Sequence, residues 1–138
     1  MINSKGRLLI IDNDASAAKT YRDYLENVGG YHVTVATNVE DAKKMLNSWI
    51  HVAIVDKRMV EDENPDDMSG LLLIEESDPL IPKIVLTVEE EFETVRRALT
   101  SKGVVAFITK RELRKNGFKL LLKEVERVYS EHRIMNRE

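Results

Sequence analysis

Short apolar runs alternate along the chain with longer stretches whose apolar residues recur every three or four positions. The runs are Leu8 to Ile11, Tyr31 to Ala36, Val52 to Val55, Ile84 to Leu86 and Val104 to Ile108. They are rich in β-branched residues, which suit a pleated surface. Three are continuous rather than alternating, as expected of parallel strands covered on both faces. The run from Tyr31 to Val35 alternates, so it is predicted to be an edge strand.

The intervening stretches predict helices. Asp14 is placed to cap the first, with Ala18, Tyr21, Leu25 and Val28 on one face and Gly29-Gly30 as the stop. Asn38 is placed to cap a second, with Ala42, Met45, Leu46 and Trp49 inward. Gly70 opens a short third helix through Glu75, ended by Asp78-Pro79. Glu89, Glu90 and Glu91 begin a fourth, and Arg96, Arg97 and Lys102 lie near its end, a polarity that complements the helix dipole. Phe118, Leu121, Leu122, Val125 and Tyr129 mark the fifth.

Five strand–helix units in strict alternation imply an α/β fold, a parallel sheet with helices on both faces. Right-handed crossovers leave few topologies, and the commonest for five units is the doubly wound order 2-1-3-4-5. Its ligand site lies beyond the carboxyl ends of strands 1 and 3.

Composition narrows the function. The 138 residues predict one domain with its core at about 7–129, and 130–138 as an exposed helix end or linker. The chain has no cysteine, which excludes disulfides, zinc–thiolate sites and thiol catalysis. A net charge of −3 argues against general nucleic-acid coating. No apolar run approaches the ~20 residues of a membrane-spanning helix, and the expected setting is cytoplasmic.

The chemistry gathers where the apolar runs end. Strand 1 leads into Asp12, Asn13 and Asp14, strand 3 into Asp56, strand 4 into Thr87 and strand 5 into Lys110. A parallel sheet puts all these ends on one rim. Clustered carboxylates call for a cation, and oxygen donors suit Mg²⁺. A hydroxyl and a lysine beside them supply what an incoming phosphoryl group needs. A carboxylate can itself be the nucleophile.

The segments LLIIDND, HVAIVDKRM, KIVLTV and VVAFITK, in this order and spacing, resemble the response-regulator receiver domain of two-component signalling, over about Arg7 to Tyr129. The resemblance implies a flavodoxin-like fold in which Asp56 is the phosphoacceptor. It implies that Asp12, Asn13, Asp56 and the backbone carbonyl of Arg58 hold Mg²⁺. Thr87 and Lys110 would contact the phosphoryl oxygens, and Phe107 would be the switch aromatic. It also implies a sensor histidine kinase or phosphotransfer protein as donor, a downstream effector as recipient, and self-phosphorylation with autodephosphorylation. A homodimer through helix 4, strand 5 and helix 5 is open, and neither direct nucleic-acid nor membrane binding is expected.

The chain departs from the family pattern in places. Asn13 replaces a second acid, Val88 a small residue, and Val60 and Arg111 two prolines. The segment 60–69 is a long acidic insert. Asp62, Asn64 and Asp66 alternate there as in a calcium loop, but the glycine such a loop requires is missing, so it reads as a solvated or lid-like loop. His32, His51 and His132 show no ligand spacing. Two other functions fit part of the pattern. One is a degenerate receiver acting as a phosphorylation-independent binding module, favoured by Asn13 and Val88. The other is a haloacid-dehalogenase-like phosphatase with Asp12 as nucleophile and Asp14 as general acid. That family needs a further acidic motif after the lysine, and Asp56 would have no role.

Overall fold

The computed structural model describes residues 5–47, 49–57, 69–87, 92–100 and 103–136. Five strands, β1 (Arg7–Ile11), β2 (His32–Ala36), β3 (Val52–Asp56), β4 (Lys83–Thr87) and β5 (Val104–Thr109), pair in parallel in the order β2-β1-β3-β4-β5. The helices are α1 (Ala15–Asn27), α2 (Val39–Met45), α3 (Ser69–Glu76), α4 (Phe92–Thr100), α5 (Lys110–Asn116) and α6 (Phe118–Asn136). The expected topology is therefore the observed one.

Strand alternation builds two cores. Leu8, Ile10, Ile54, Ile84, Leu86 and Ile108 pack against α1, α6 and Leu113 of α5. Leu9, Ile11, Val55 and Val85 pack against Ala42 of α2, Leu71 and Ile74 of α3, and Ala98 of α4. The continuous runs of β3 and β4 are buried at every position, because each successive side chain enters one core or the other. The alternating run, β2, is an edge strand as expected.

The helix starts follow the capping residues. Asp14 accepts from the backbone N–H groups of Ser16 and Ala17, both at 3.1 Å, and Asn38 from that of Asp41 at 2.8 Å. Glu89 to Glu91, placed at the start of the fourth helix, lie outside the described residues.

Three expectations fail. Trp49 is 68% exposed rather than inward. Helix α2 ends at Met45, so the helical projection stops applying before residue 49. The Arg7 guanidinium instead lies 5.0 Å from the Trp49 ring centroid, and its Nε donates to the Trp49 carbonyl at 2.6 Å. Val28 is exposed for a related reason: it is the C-cap of α1, already past the buried face. The third difference is α5. Strand β5 ends at Thr109, and Lys110 begins a helix of its own before the expected one. The absence of proline at Arg111 permits this, and Thr109 with Glu112 forms a reciprocal capping box. Gly117, at φ 78°, turns the chain between α5 and α6.

Candidate functional site

Asp12 follows β1, Asp56 ends β3, Thr87 ends β4 and Lys110 follows β5. The first three are almost fully buried, at 1%, 2% and 1% exposure. By strand alternation Asp12 and Asp56 share the face of Ile10 and Ile54, the side of α1 and α5. Lys110, the first residue of α5, comes from that same side. Its Nζ lies 3.5 Å from Asp56 Oδ2, the long end of an ion pair, with both side chains largely shielded from water.

Asp12 is fixed by the backbone: its Oδ1 accepts from the N–H of Asp14 at 2.9 Å. Its Oδ2 is buried with no hydrogen-bond partner among the described residues, and so is Asn13 Oδ1. Burial raises the Asp12 carboxyl above its ordinary value. The Asp14 N–H, the Lys110 ammonium and the neighbouring Asp56 carboxyl work against that rise, and the Asp14 charge adds to it.

Two orphaned oxygens on adjacent residues, with the Asp56 carboxyl against Asp12, fit a hard divalent cation, which would supply the missing partners. The donors would be two carboxylates and one amide; among the described residues no three acidic, histidine or cysteine side chains cluster for a metal. Arg58, the expected fourth donor, lies outside the described residues. So do Val88 and the acidic segment 60–68.

Thr87 stands on the rim but on the other face. It shares the parity of Val85, as Phe107 shares that of the second core, where its half-buried ring packs. Thr87 is paired in register with Thr109, one residue before Lys110. The structure thus brings Asp12, Asp56 and Lys110 together. It sets Thr87 and Phe107 along the β4–β5 edge toward α3 and α4.

Asp14 does not join the acidic pair. Its carboxylate caps α1 and is exposed, which removes the general acid that the phosphatase reading needs.

Two features of the site escaped sequence reasoning. Tyr21 looks like a core residue of α1, and it is buried. Its hydroxyl also feels the charges of Lys110, Asp12, Asp56 and Asp14, and burial first of all pushes it above its ordinary value. Gly70 reads only as a helix opener. A Cβ there would meet the Asp56 carbonyl oxygen at 2.0 Å, so the first turn of α3 presses on the backbone of the acidic residue. The Gly70 N–H donates to the Lys57 carbonyl at 2.9 Å, which fixes that approach. Glycine at the end of the acidic insert was the available signal for it.

Comparison with known proteins agrees with this geometry. The family model for the response regulator receiver domain matches residues 8–121. A CheY-like receiver domain protein from Methanospirillum hungatei JF-1 superposes with a TM-score of 0.81 at 24% identity, covering 96% of this chain and 100% of that one. A two-component response regulator from Clostridium difficile gives 0.76 at 21% identity, with 96% and 100% covered. The signal receiver domain of an HD domain-containing protein from Pseudomonas fluorescens Pf-5 gives 0.77 at 15% identity, with 98% and 94% covered. No curated protein matches the chain significantly. The order of strands, the rim residues and the family match together place this chain in the response regulator receiver domain family of two-component systems.

Proposed function

We propose that this chain is a phosphoacceptor receiver that takes a phosphoryl group onto Asp56 from a histidine kinase or phosphotransfer protein in the cytoplasm. The observation that carries this reading is the Lys110–Asp56 pair at 3.5 Å beside Asp12. A nearly buried carboxylate with a lysine 3.5 Å away and a second buried carboxyl, Asp12, against it is arranged for a nucleophile whose charge must be managed. On this reading the whole chain, 1–138, works as one receiver unit.

Asp12, Asn13 and Asp56 would hold Mg²⁺, which in this role offsets negative charge as the phosphoryl group arrives. Asp56 Oδ attacks the phosphorus of the donor's phosphohistidine; the phosphorus–nitrogen bond breaks and the histidine leaves. The product carries up to two negative charges and three acceptor oxygens. Lys110 is close enough to turn from the carboxylate to those oxygens. Thr87 would donate from its hydroxyl after a shift of the strand-end backbone.

Thr87 and Phe107 lie on one face, so a shift of Thr87 would be felt along that face toward the half-buried Phe107 ring. That couples the rim to the α4–β5 surface read by an effector. The switch is an equilibrium between two packings that the new phosphate contacts bias.

The test is intact-mass measurement after incubation with acetyl phosphate and Mg²⁺. Wild type gains one phosphoryl group and Asp56→Asn gains none. Equal gain by the variant would overturn the reading, and labelling lost in Asp12→Asn together with phosphoester hydrolysis would favour the phosphatase.

A further inference from the structure

The helix α5 creates a groove against α1. Its volume is about 470 Å³, within the range of small-molecule sites. Ala17 and Tyr21 form one wall, Leu113 and Phe118 the other, and Lys110 and Arg114 supply its charge. Among the described residues no acidic one lines it. The Phe118 ring meets Tyr21 and Tyr24 edge-on, with centroids 5.6 Å apart in both pairs, and Phe118 and Tyr21 give the groove an aromatic lining. Arg114 is exposed and makes no hydrogen bond or ion pair among the described residues.

We propose that this groove binds a small aromatic carboxylate, its ring among Tyr21, Leu113 and Phe118 and its anionic head between Lys110 and Arg114. An aromatic body is favoured because the wall offers ring edges and faces rather than aliphatic packing alone. An anion is favoured because both charged lining residues are cations, and Arg114 offers a planar fork that matches a carboxylate.

The site has a built-in consequence. Lys110 lines the groove and also pairs with Asp56. A carboxylate in the groove competes with Asp56 for one ammonium. Occupancy of the groove and the state of Asp56 are therefore linked, and the linkage is reciprocal. That this competition regulates phosphoryl transfer rests on the function proposed above; the binding itself does not.

The experiment uses 2-naphthoate as probe and its uncharged analogue 2-naphthamide as control, followed by amide NMR shifts of the full chain. Saturable shifts are expected at Tyr21, Leu113, Arg114 and Gly117, with naphthamide binding about tenfold more weakly. Arg114→Glu should weaken naphthoate by a similar factor and leave the fold intact, since the side chain is exposed. Asp56→Asn, which removes the competing carboxylate charge beside Lys110, should tighten naphthoate by about threefold or more. Equal binding of acid and amide, or shifts confined to other surfaces, would overturn the site. Unchanged affinity in Asp56→Asn would overturn the competition for Lys110. None of these readouts requires phosphorylation, so they stand apart from the mass measurement.

Discussion

Lys110 Nζ lies 3.5 Å from Asp56 Oδ2 because the residue before it, Thr109, caps the helix that carries it. The cation is therefore not on a free loop. It is the first residue of a helix anchored in the core by Leu113, so its backbone is held in place while the side chain turns. In the resting site its ammonium partly occupies the role of a counter-ion to Asp56 and Asp12.

That arrangement predicts that Lys110 opposes Mg²⁺. Lys110→Met removes a positive charge beside the donors and should tighten Mg²⁺ by about fivefold, while slowing labelling by acetyl phosphate. An NMR titration of Mg²⁺ measures the first effect. Unchanged or weaker affinity would show that the ammonium and the cation do not compete.

In the proposed Mg²⁺ site, Asn13 would supply a dipole where a charge would bind more strongly. Asn13→Asp should tighten Mg²⁺ by about tenfold and destabilise the metal-free fold by ~1 kcal/mol through repulsion with Asp12. Proton competition adds a pH dependence. The folded Asp12 value is raised, so the folded state holds this proton to higher pH than the unfolded chain. Ionising Asp12 therefore costs the metal-free fold stability as pH rises from the unfolded value through the raised folded one. Mg²⁺ affinity should fall with pH while an ordinary aspartate is still ionised. Titrations at several pH values check both claims.

The cap can be tested separately. Thr109→Ala removes the hydroxyl that accepts from the Glu112 N–H at 3.0 Å. A loss of about 1 kcal/mol is expected in urea unfolding. Labelling should also slow, because Lys110 is less well placed, whereas an alanine at an exposed position of α5, Lys115→Ala, should change neither.

At the opposite end of the sheet, Lys83 begins β4 fully buried, its ammonium donating to the Asp78 carbonyl oxygen. Burial pushes it down to about 8, with Asp78 pulling the other way. The folded value lies below the unfolded one, so the unfolded chain binds more protons between them and stability rises with pH across about 8 to 10.5. Below that window the cost of the buried charge is fully present. Lys83→Met should then stabilise the fold at pH 7 by up to about 3 kcal/mol, less the lost hydrogen bond. Urea unfolding at pH 7 and at high pH should show that gain shrinking; a gain independent of pH would contradict the assignment.

The sheet and its order were legible because β1, β3 and β4 are central and parallel, and a strand buried on both faces must read as a continuous apolar run. The rim residues were legible because each leaves such a run as a polar residue. What periodicity could not show was where a helix stops. Trp49 continues the α2 repeat on paper, but the chain turns at Leu46. Helix α5 was hidden because most of its residues are charged, and only Leu113 among them is buried. Tyr21 was hidden because a ring buried in a core and a hydroxyl near a site have the same sequence signature. Lys83 gave no warning, since its partner is a backbone carbonyl.

On the proposed function, the phosphoryl group resides on Asp56. Borohydride reduction of acetyl phosphate-treated protein converts an aspartyl phosphate to homoserine, which peptide sequencing by mass spectrometry locates. Homoserine at position 56 alone is the predicted result; homoserine at position 12, or an unreduced Asp56 in protein that carries phosphate, would contradict the account.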